Sequence, residues 1–539
     1  MSEPTRRKRF RWTKVLYAAV GVYLLLTAAA WVWWDHHASA KLAELTAEIR
    51  ARGEPLAWSE MAPEPLPPEQ DAAVLYRRAE DATDLIAPSD PDSSFVRREP
   101  RLPRMERLSS MVRCLVSHPE FRAEHGREVR AILAEAKDAL ALCRRARGLR
   151  AADWGIDYDA PALDASTLNL SPLQALTNLL CLAAAAAHDD ARDAEAVGHL
   201  RDALAISDSL QSCPTFIGHL VALSIHRKVV FAIEQIAPDL GGSEAGPAAR
   251  TAVCDLLGDL RDEAPLRQGR LWAFIGERST MYDTTERFRR GSLAWEHGFD
   301  SKEALAWRLL LQPMWKLDEV RLVRVLHANL LLAEARTQPE AMASPALREL
   351  ERVDRTLERK HANAGPLWRF THQLSRILTP SIRKAYVLSL RALTDRRTAA
   401  IALAIRLYEL DHGRRPEALA ALVPDYLPAV PDDPFAEKGT KLVCRPDRQP
   451  PALYSRSENC QDDGGAWDTE FVSDEDPDWP FFLNGDRPRG ECDWEDPTTQ
   501  PDKPLRWQRL RRDHLGAEDR DDAPEDAAAP GGRHDVGGD

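Results

Sequence analysis

The stretch VLYAAVGVYLLLTAAAWVWW, Val15 to Trp34, runs for 20 residues without a charge. As a helix rising 1.5 Å per residue it covers about 30 Å, the apolar thickness of a bilayer. Arg6, Arg7, Lys8, Arg9, Arg11 and Lys14 precede it against Glu3 alone, and Asp35 follows it. Flanking cations hold a loop on the cytoplasmic side. The pattern therefore predicts a basic cytoplasmic segment (1–14), one transmembrane helix (15–34), and all that follows outside the inner membrane. Trp31, Trp33 and Trp34 stand where aromatic side chains anchor the outer interface. Ala38-Ser39-Ala40 also fits a signal-peptidase site, so cleavage is the alternative, although the span is longer than a 7–15-residue signal core.

Formal charge is −13 overall, and the first 14 residues carry a net +5, leaving −18 for the remainder. A body that acidic excludes nucleic acid as a partner, since binding it requires a basic surface. The membrane is a partner through the anchor, and an envelope protein is the expected second one. The eight cysteines form neither a C-x-x-C pair nor a Cys/His spacing suited to zinc. Export permits disulfides, with Cys444 and Cys460 the expected pair because they flank a predicted hairpin. Cys114, Cys143, Cys181 and Cys254 fall on helical patterns and read as free, buried thiols.

Beyond the span the fold class is mainly α. Lys41–Arg52 reads as a juxtamembrane helix stopped by Gly53 and Pro55, and Pro63, Pro65, Pro67 and Pro68 make the rest of 35–70 an extended linker. Residues 71–378 form an irregular helical bundle or short solenoid. Within it, Leu173–Ala187 and Asp193–Leu210 make a hairpin similar to a tetratricopeptide pair, without a recurring 34-residue period. Ala196, Leu200, Ala203, Ile206 and Leu210 step by three or four, as one face of an amphipathic helix does. Further helices are expected at 128–147, 215–236, 248–262, 301–311 and 318–337. Glu277-Arg278, after Leu271–Ile275, reads as a partly buried ion pair. From Asp513 onward nine acids and two arginines stand among Ala, Gly and Pro, so within 476–539 a disordered acidic tail is expected.

Residues 382–475 read as a small α+β module. A helix from Ile382 to His412 ends at Gly413; Val430-Pro431-Asp432-Asp433-Pro434-Phe435 makes a corner; Leu442–Cys444 and Ala452–Tyr454 pair as short strands. Then comes Leu453-Tyr454-Ser455-Arg456-Ser457-Glu458-Asn459-Cys460-Gln461-Asp462-Asp463-Gly464-Gly465. This order of helix, D-P-F corner and L-Y-S … D-G-G loop resembles the head of the type II secretion major pseudopilins over about 80 of the 539 residues. With the Arg52-Gly53-Glu54-Pro55-Leu56 linker, the layout also resembles bacterial single-span, membrane-anchored helical proteins. The resemblance implies a structural calcium on Asn459, Asp468, Asp462 and Asp463, whose oxygens suit a hard cation. The spacing is not that of an EF-hand, because Ser473 stands where the bidentate Glu would be. The pseudopilin peptidase motif and the early glutamate of the first helix are both missing.

No G-x-S-x-G elbow, H-E-x-x-H, Walker A or G-x-G-x-x-G occurs, so no catalytic residue and no enzyme activity is expected. The sequence-level reading is a membrane-anchored, extracytoplasmic structural or interaction protein. The alternatives are an accessory subunit of a type II secretion or pilus-like system, and an exported hydrolase whose site is not local in sequence.

Overall fold

The apolar stretch does not stop at the membrane surface. In a computed structural model, Arg6–Ala51 is one unbroken helix, α1. The structure describes residues 6–83, 111–112, 114–149, 151–165, 168–242, 246–290, 310–348, 350, 382–466, 478–485 and 487. The expected helix at 301–311, apart from its last two residues, and the expected acidic tail lie outside that set, as does Asp468. Met1–Glu491 is one compact unit and holds every described residue.

The fold is mainly helical with few strands, and α1 is long and apolar enough to span a membrane. Reading the span and Lys41–Arg52 as separate helices is therefore corrected. The polar residues between them, Asp35 and Ser39, are matched from far along the chain: Lys316 Nζ donates to Asp35 Oδ1 at 2.6 Å and to Ser39 Oγ at 2.9 Å. With those charges and hydroxyls satisfied, nothing breaks the helix.

The body contains α2 (Ala72–Asp81), α3 (Pro119–Glu124), α4 (Gly126–Glu135), α5 (Lys137–Ala146), α6 (Ser171–Asp189), α7 (Asp193–Leu210), α8 (Phe216–Ile236), α9 (Gly246–Arg261), α10 (Ala264–Arg290) and α11 (Gln312–Ala333). The α6–α7 hairpin turns at Ala191, which takes φ +57°. Ala183, Ala184, Ala187, Ala196 and Ala203 are all buried, and such small side chains let helix axes come close. Helix α8 is also apolar enough to cross a membrane, but more than half of its apolar window is buried in the protein, which makes it a core helix. His219 on α8 receives no solvent: its ring nitrogens meet Gln211 Oε1 and Ser389 Oγ, both at 2.8 Å.

The body grips α1 along its second half. Leu42, Leu45 and Ile49 pack on Val320 and Val323 of the parallel helix α11. Just beyond α1, Gly53 adopts φ +72°, the left-handed conformation glycine permits, and sends Glu54-Pro55-Leu56 into the body. Glu54 accepts from Arg52 Nε at 2.6 Å and from Arg278 Nη1 at 2.5 Å, while Arg278 Nη2 donates to Pro55 O at 3.0 Å. Burial pushes the Glu54 carboxyl up, but these two guanidinium groups outweigh it and hold the group below its ordinary range. The partner of Arg278 is thus Glu54, not its neighbour Glu277, because adjacent helical residues point to different faces. Glu277 is instead raised to about 7 by burial. The segment after Leu56 is likewise no free linker at its start: Trp58 and Met61 are 1% exposed.

Helix α12 (Ile382–His412) has the bounds expected from sequence. It packs on α8 and α9, and Ala399–Ile405 and Leu407 belong to the same core cluster as α6, α7 and α8. Arg396, fully buried, knits three helices. It pairs with Asp208 at the end of α7 (2.9 and 3.0 Å) and caps the C-terminus of α9 at Leu260 O (3.0 Å) and Asp259 O (2.8 Å). Four donated bonds match a guanidinium's fork and offset the cost of burying the charge. Beyond α12 lies an antiparallel three-stranded sheet in the order β1 (Val443–Arg445), β2 (Ala452–Ser455), β3 (Trp479–Phe482). Leu453 stands opposite Cys444 on one side and Phe481 on the other, and Leu453 and Phe481 join the shared core. Pro480 is tolerated in β3 because that strand is an edge.

Cys143 and Cys181 are free and buried as expected, whereas the other cysteine expectations need correcting. Cys444 and Cys460 are free thiols. Cys114 is disulfide-bonded. Cys254 is free but exposed, since only one face of α9 enters the core.

Candidate functional site

The corner and the loop seen in the sequence meet at one carboxylate. Asp433, fully buried, accepts from Phe435 N (2.9 Å), Ser455 Oγ (2.5 Å), Arg456 N (3.1 Å) and Arg456 Nη1 (3.3 Å). The aspartate of D-P-F and the serine of L-Y-S are therefore partners, which gives a physical reason for both to occur. Four donors also keep a buried charge satisfied.

Downstream, the loop is shaped by left-handed backbone at Ser457, Cys460, Gly464 and Gly465. Gly465 is required twice over: its φ is +79°, and a Cβ there would lie 3.2 Å from the Tyr454 ring. Asn459 Nδ2 donates to Asp463 Oδ2 at 2.7 Å. Asp462 Oδ1 accepts from Tyr454 Oη at 2.9 Å and Gly464 N at 3.1 Å, and its Oδ2 lies 3.9 Å from Arg456. Three of the four expected ligands are thus drawn into one loop, but among the described residues no three His, Cys, Asp or Glu side chains converge as a metal-binding group.

A residue that the sequence reading passed over completes this region. Asp478, next to the first residue of β3, is 1% exposed, and its Oδ2 accepts from Gly465 N at 2.7 Å. Its Oδ1 is buried and has no hydrogen-bond partner among the described residues. Burial raises the Asp478 carboxyl to about 7, the Gly465 amide opposes that, and the nearby Asp463 and Asp462 charges add to it. An orphaned buried carboxylate oxygen beside two more carboxylates is an arrangement that a hard cation relieves. Its only signal in the sequence is an aspartate directly before an apolar, aromatic strand.

A second feature is a cavity of about 310 Å³ between α6, α8, α12 and β3, lined in part by Arg227, Lys228, Glu234, Asp395, Trp479 and Arg487. Two guanidinium groups stand over the Trp479 ring, Arg227 at 4.1 Å and Arg391 at 4.4 Å from its centre, and Trp479 donates Nε1–H to Asp395 Oδ1 at 2.6 Å. Arg487 grips Glu234 with two bonds of 3.0 and 2.8 Å. Burial raises both Asp395 and Glu234, against those donors and cations. The earlier acidic run Asp153–Asp159, by contrast, spends its carboxylates on local turns: Asp153 accepts from Gly155 N, and Asp157 from Asp159 N.

Comparison of the chain with protein-family models, with curated proteins and with solved structures finds no match.

Proposed function

We propose that this is a membrane-anchored, extracytoplasmic structural or interaction protein without catalytic activity. The observation that carries the reading is α1, which presents an uncharged, solvent-facing half and then continues without a break into the core of the body. Ala38, the first small residue of the A-S-A site, is fully buried in the folded protein, and Ser39 is held by Lys316, which favours retention of the anchor over cleavage. A disulfide at Cys114 accords with an oxidising compartment. The partner is expected to be an envelope protein. Pull-down of the full-length chain from solubilised membranes is expected to enrich an envelope component reproducibly. Recovery of the protein alone, after crosslinking in intact cells, would contradict an interaction role. Enrichment of pseudopilins would instead favour the accessory-subunit reading.

An exported hydrolase is the second reading, because the cavity gathers raised carboxyls. Asp395 and Glu234 are, however, each held by a donor of their own, which favours a structural role for both.

We further propose a structural calcium at the Asp/Gly loop, with Asp478 joining Asp462, Asp463, Asn459 and Asp468. Metal bound to the fold but not to the unfolded chain stabilises by RT ln(1 + [L]/Kd), about 2.7 kcal/mol at 100-fold saturation. The full-length protein is expected to melt higher in millimolar calcium than in chelator, and Asp478→Ala should shrink that difference. In chelator the pH dependence has a defined sign. The folded Asp478 value, about 7, lies above its ordinary value of 3.8, so the fold holds that proton more tightly. The stability this contributes is lost as pH rises through 7, and calcium should remove that loss. Equal melting with calcium and chelator at pH 8 would rule the site out.

A further inference from the structure

We propose that one end of the helical body is a membrane-surface platform that lies on the outer-leaflet lipids of the bilayer α1 spans. The inference rests on the reading of α1 as the anchor. The lipid-facing part of α1 and the gripped part adjoin with no flexible joint between them: Trp33 is 68% exposed, while Trp34 already packs against Phe288, Met314 and Trp315. Trp31, one turn earlier, donates its indole N–H to Leu310 O at 2.6 Å. From Val15, Trp34 is about 30 Å along the helix axis, which is the depth of the apolar core. Among the described residues the body's contacts with α1 therefore begin at Trp31 and Trp34, at the level of the interface.

Three helices reach this level together. Helix α11 runs parallel to α1, with Lys316 beside Asp35 and Glu334 beside Arg52. Helix α10 runs antiparallel to α11, with Arg278 beside His327 and Arg289 Nε donating to Glu319 Oε2 at 3.2 Å. Its C-terminal end then returns to the start of α11, where Gln312 Nε2 donates to Arg289 O at 3.2 Å. The end of the bundle displays Trp33 and Leu310, 68% and 53% exposed. Tryptophan with an apolar body and one N–H suits the headgroup boundary, and a leucine exposed there gains by leaving water. A rigid helix that continues through the interface keeps this end of the body close to the membrane surface over the ordinary range of helix tilt.

The test places the photoreactive residue p-benzoylphenylalanine, one position at a time, at Tyr23 in the span, at Leu310, and at Val423, all exposed in the protein. The full-length chain is reconstituted in vesicles of phosphatidylcholine and phosphatidylglycerol and irradiated, and lipid adducts are read by mass. The expected result is adduct at Tyr23 and Leu310 and none above background at Val423. Adduct at Tyr23 with Leu310 at the Val423 level overturns the platform while leaving the anchor in place. Absence of adduct at Tyr23 overturns the anchor and the platform with it. Equal adduct at all three positions overturns the platform as a specific face.

Discussion

Gly276→Ala is expected to destabilise the protein by about 3 kcal/mol or more, at the top of the range for overpacking. The same change at Gly258 should stabilise it by about 0.5–1 kcal/mol, the helix-propensity gain of alanine over glycine. Both glycines lie inside helices, so local propensity gives them the same sign. The difference is what each helix meets. A Cβ on Gly276 would lie 1.6 Å from Pro214 O and 2.7 Å from Pro214 C, atoms of backbone that no side-chain rotation can move aside. A Cβ on Gly258 would meet nothing within 4 Å. Helix α10 repeats the arrangement seven residues earlier, where a Cβ on Gly269 would fall 2.6 Å from Gln211 Cβ. The turn after α7 therefore presses into the face of α10 that two glycines keep open. Parallel melting curves of the two variants in one detergent check this. A Gly276→Ala protein as stable as the parent would mean that α10 does not cross the Gln211–Pro214 turn this closely.

Elements set by local pattern were legible. The uncharged span, the α6–α7 hairpin and the bounds of α12 follow from hydrophobic period and stop signals that act within a few residues. The two short strands β1 and β2 were legible to within a residue or so. What escaped depends on partners far away in the chain. The span read as ending at Trp34, before Asp35, because Lys316, which satisfies that carboxylate, is 281 residues distant. Glu277-Arg278 read as a pair because adjacency is visible and the 224-residue reach to Glu54 is not. The pairing of Cys444 with Cys460 followed the hairpin, but both thiols are free, and Cys114, which read as a free thiol, is disulfide-bonded.

At the candidate site the motif residues were legible and their division of labour was not. Asn459, Asp462 and Asp463 stand together in sequence and in space. Asp478 stands in an acidic run that also includes Asp474, Glu475 and Asp476, and its one local mark is its place directly before an aromatic strand. Only the pairing of β2 with β3, Ser455 opposite Trp479, brings it against the loop. Asp433 likewise gains its meaning from Ser455, 22 residues on.

The central claim is that α1 remains part of the protein as a membrane helix and that the body it enters lies outside the cytoplasm. Protease added to spheroplasts, followed by intact-mass measurement of the membrane fraction, tests it most directly. The expected result is digestion of the body with the Val15–Trp34 segment left in the membrane, and no digestion of a cytoplasmic control. Full protection of the body, or a soluble mature chain beginning at Lys41, would contradict it.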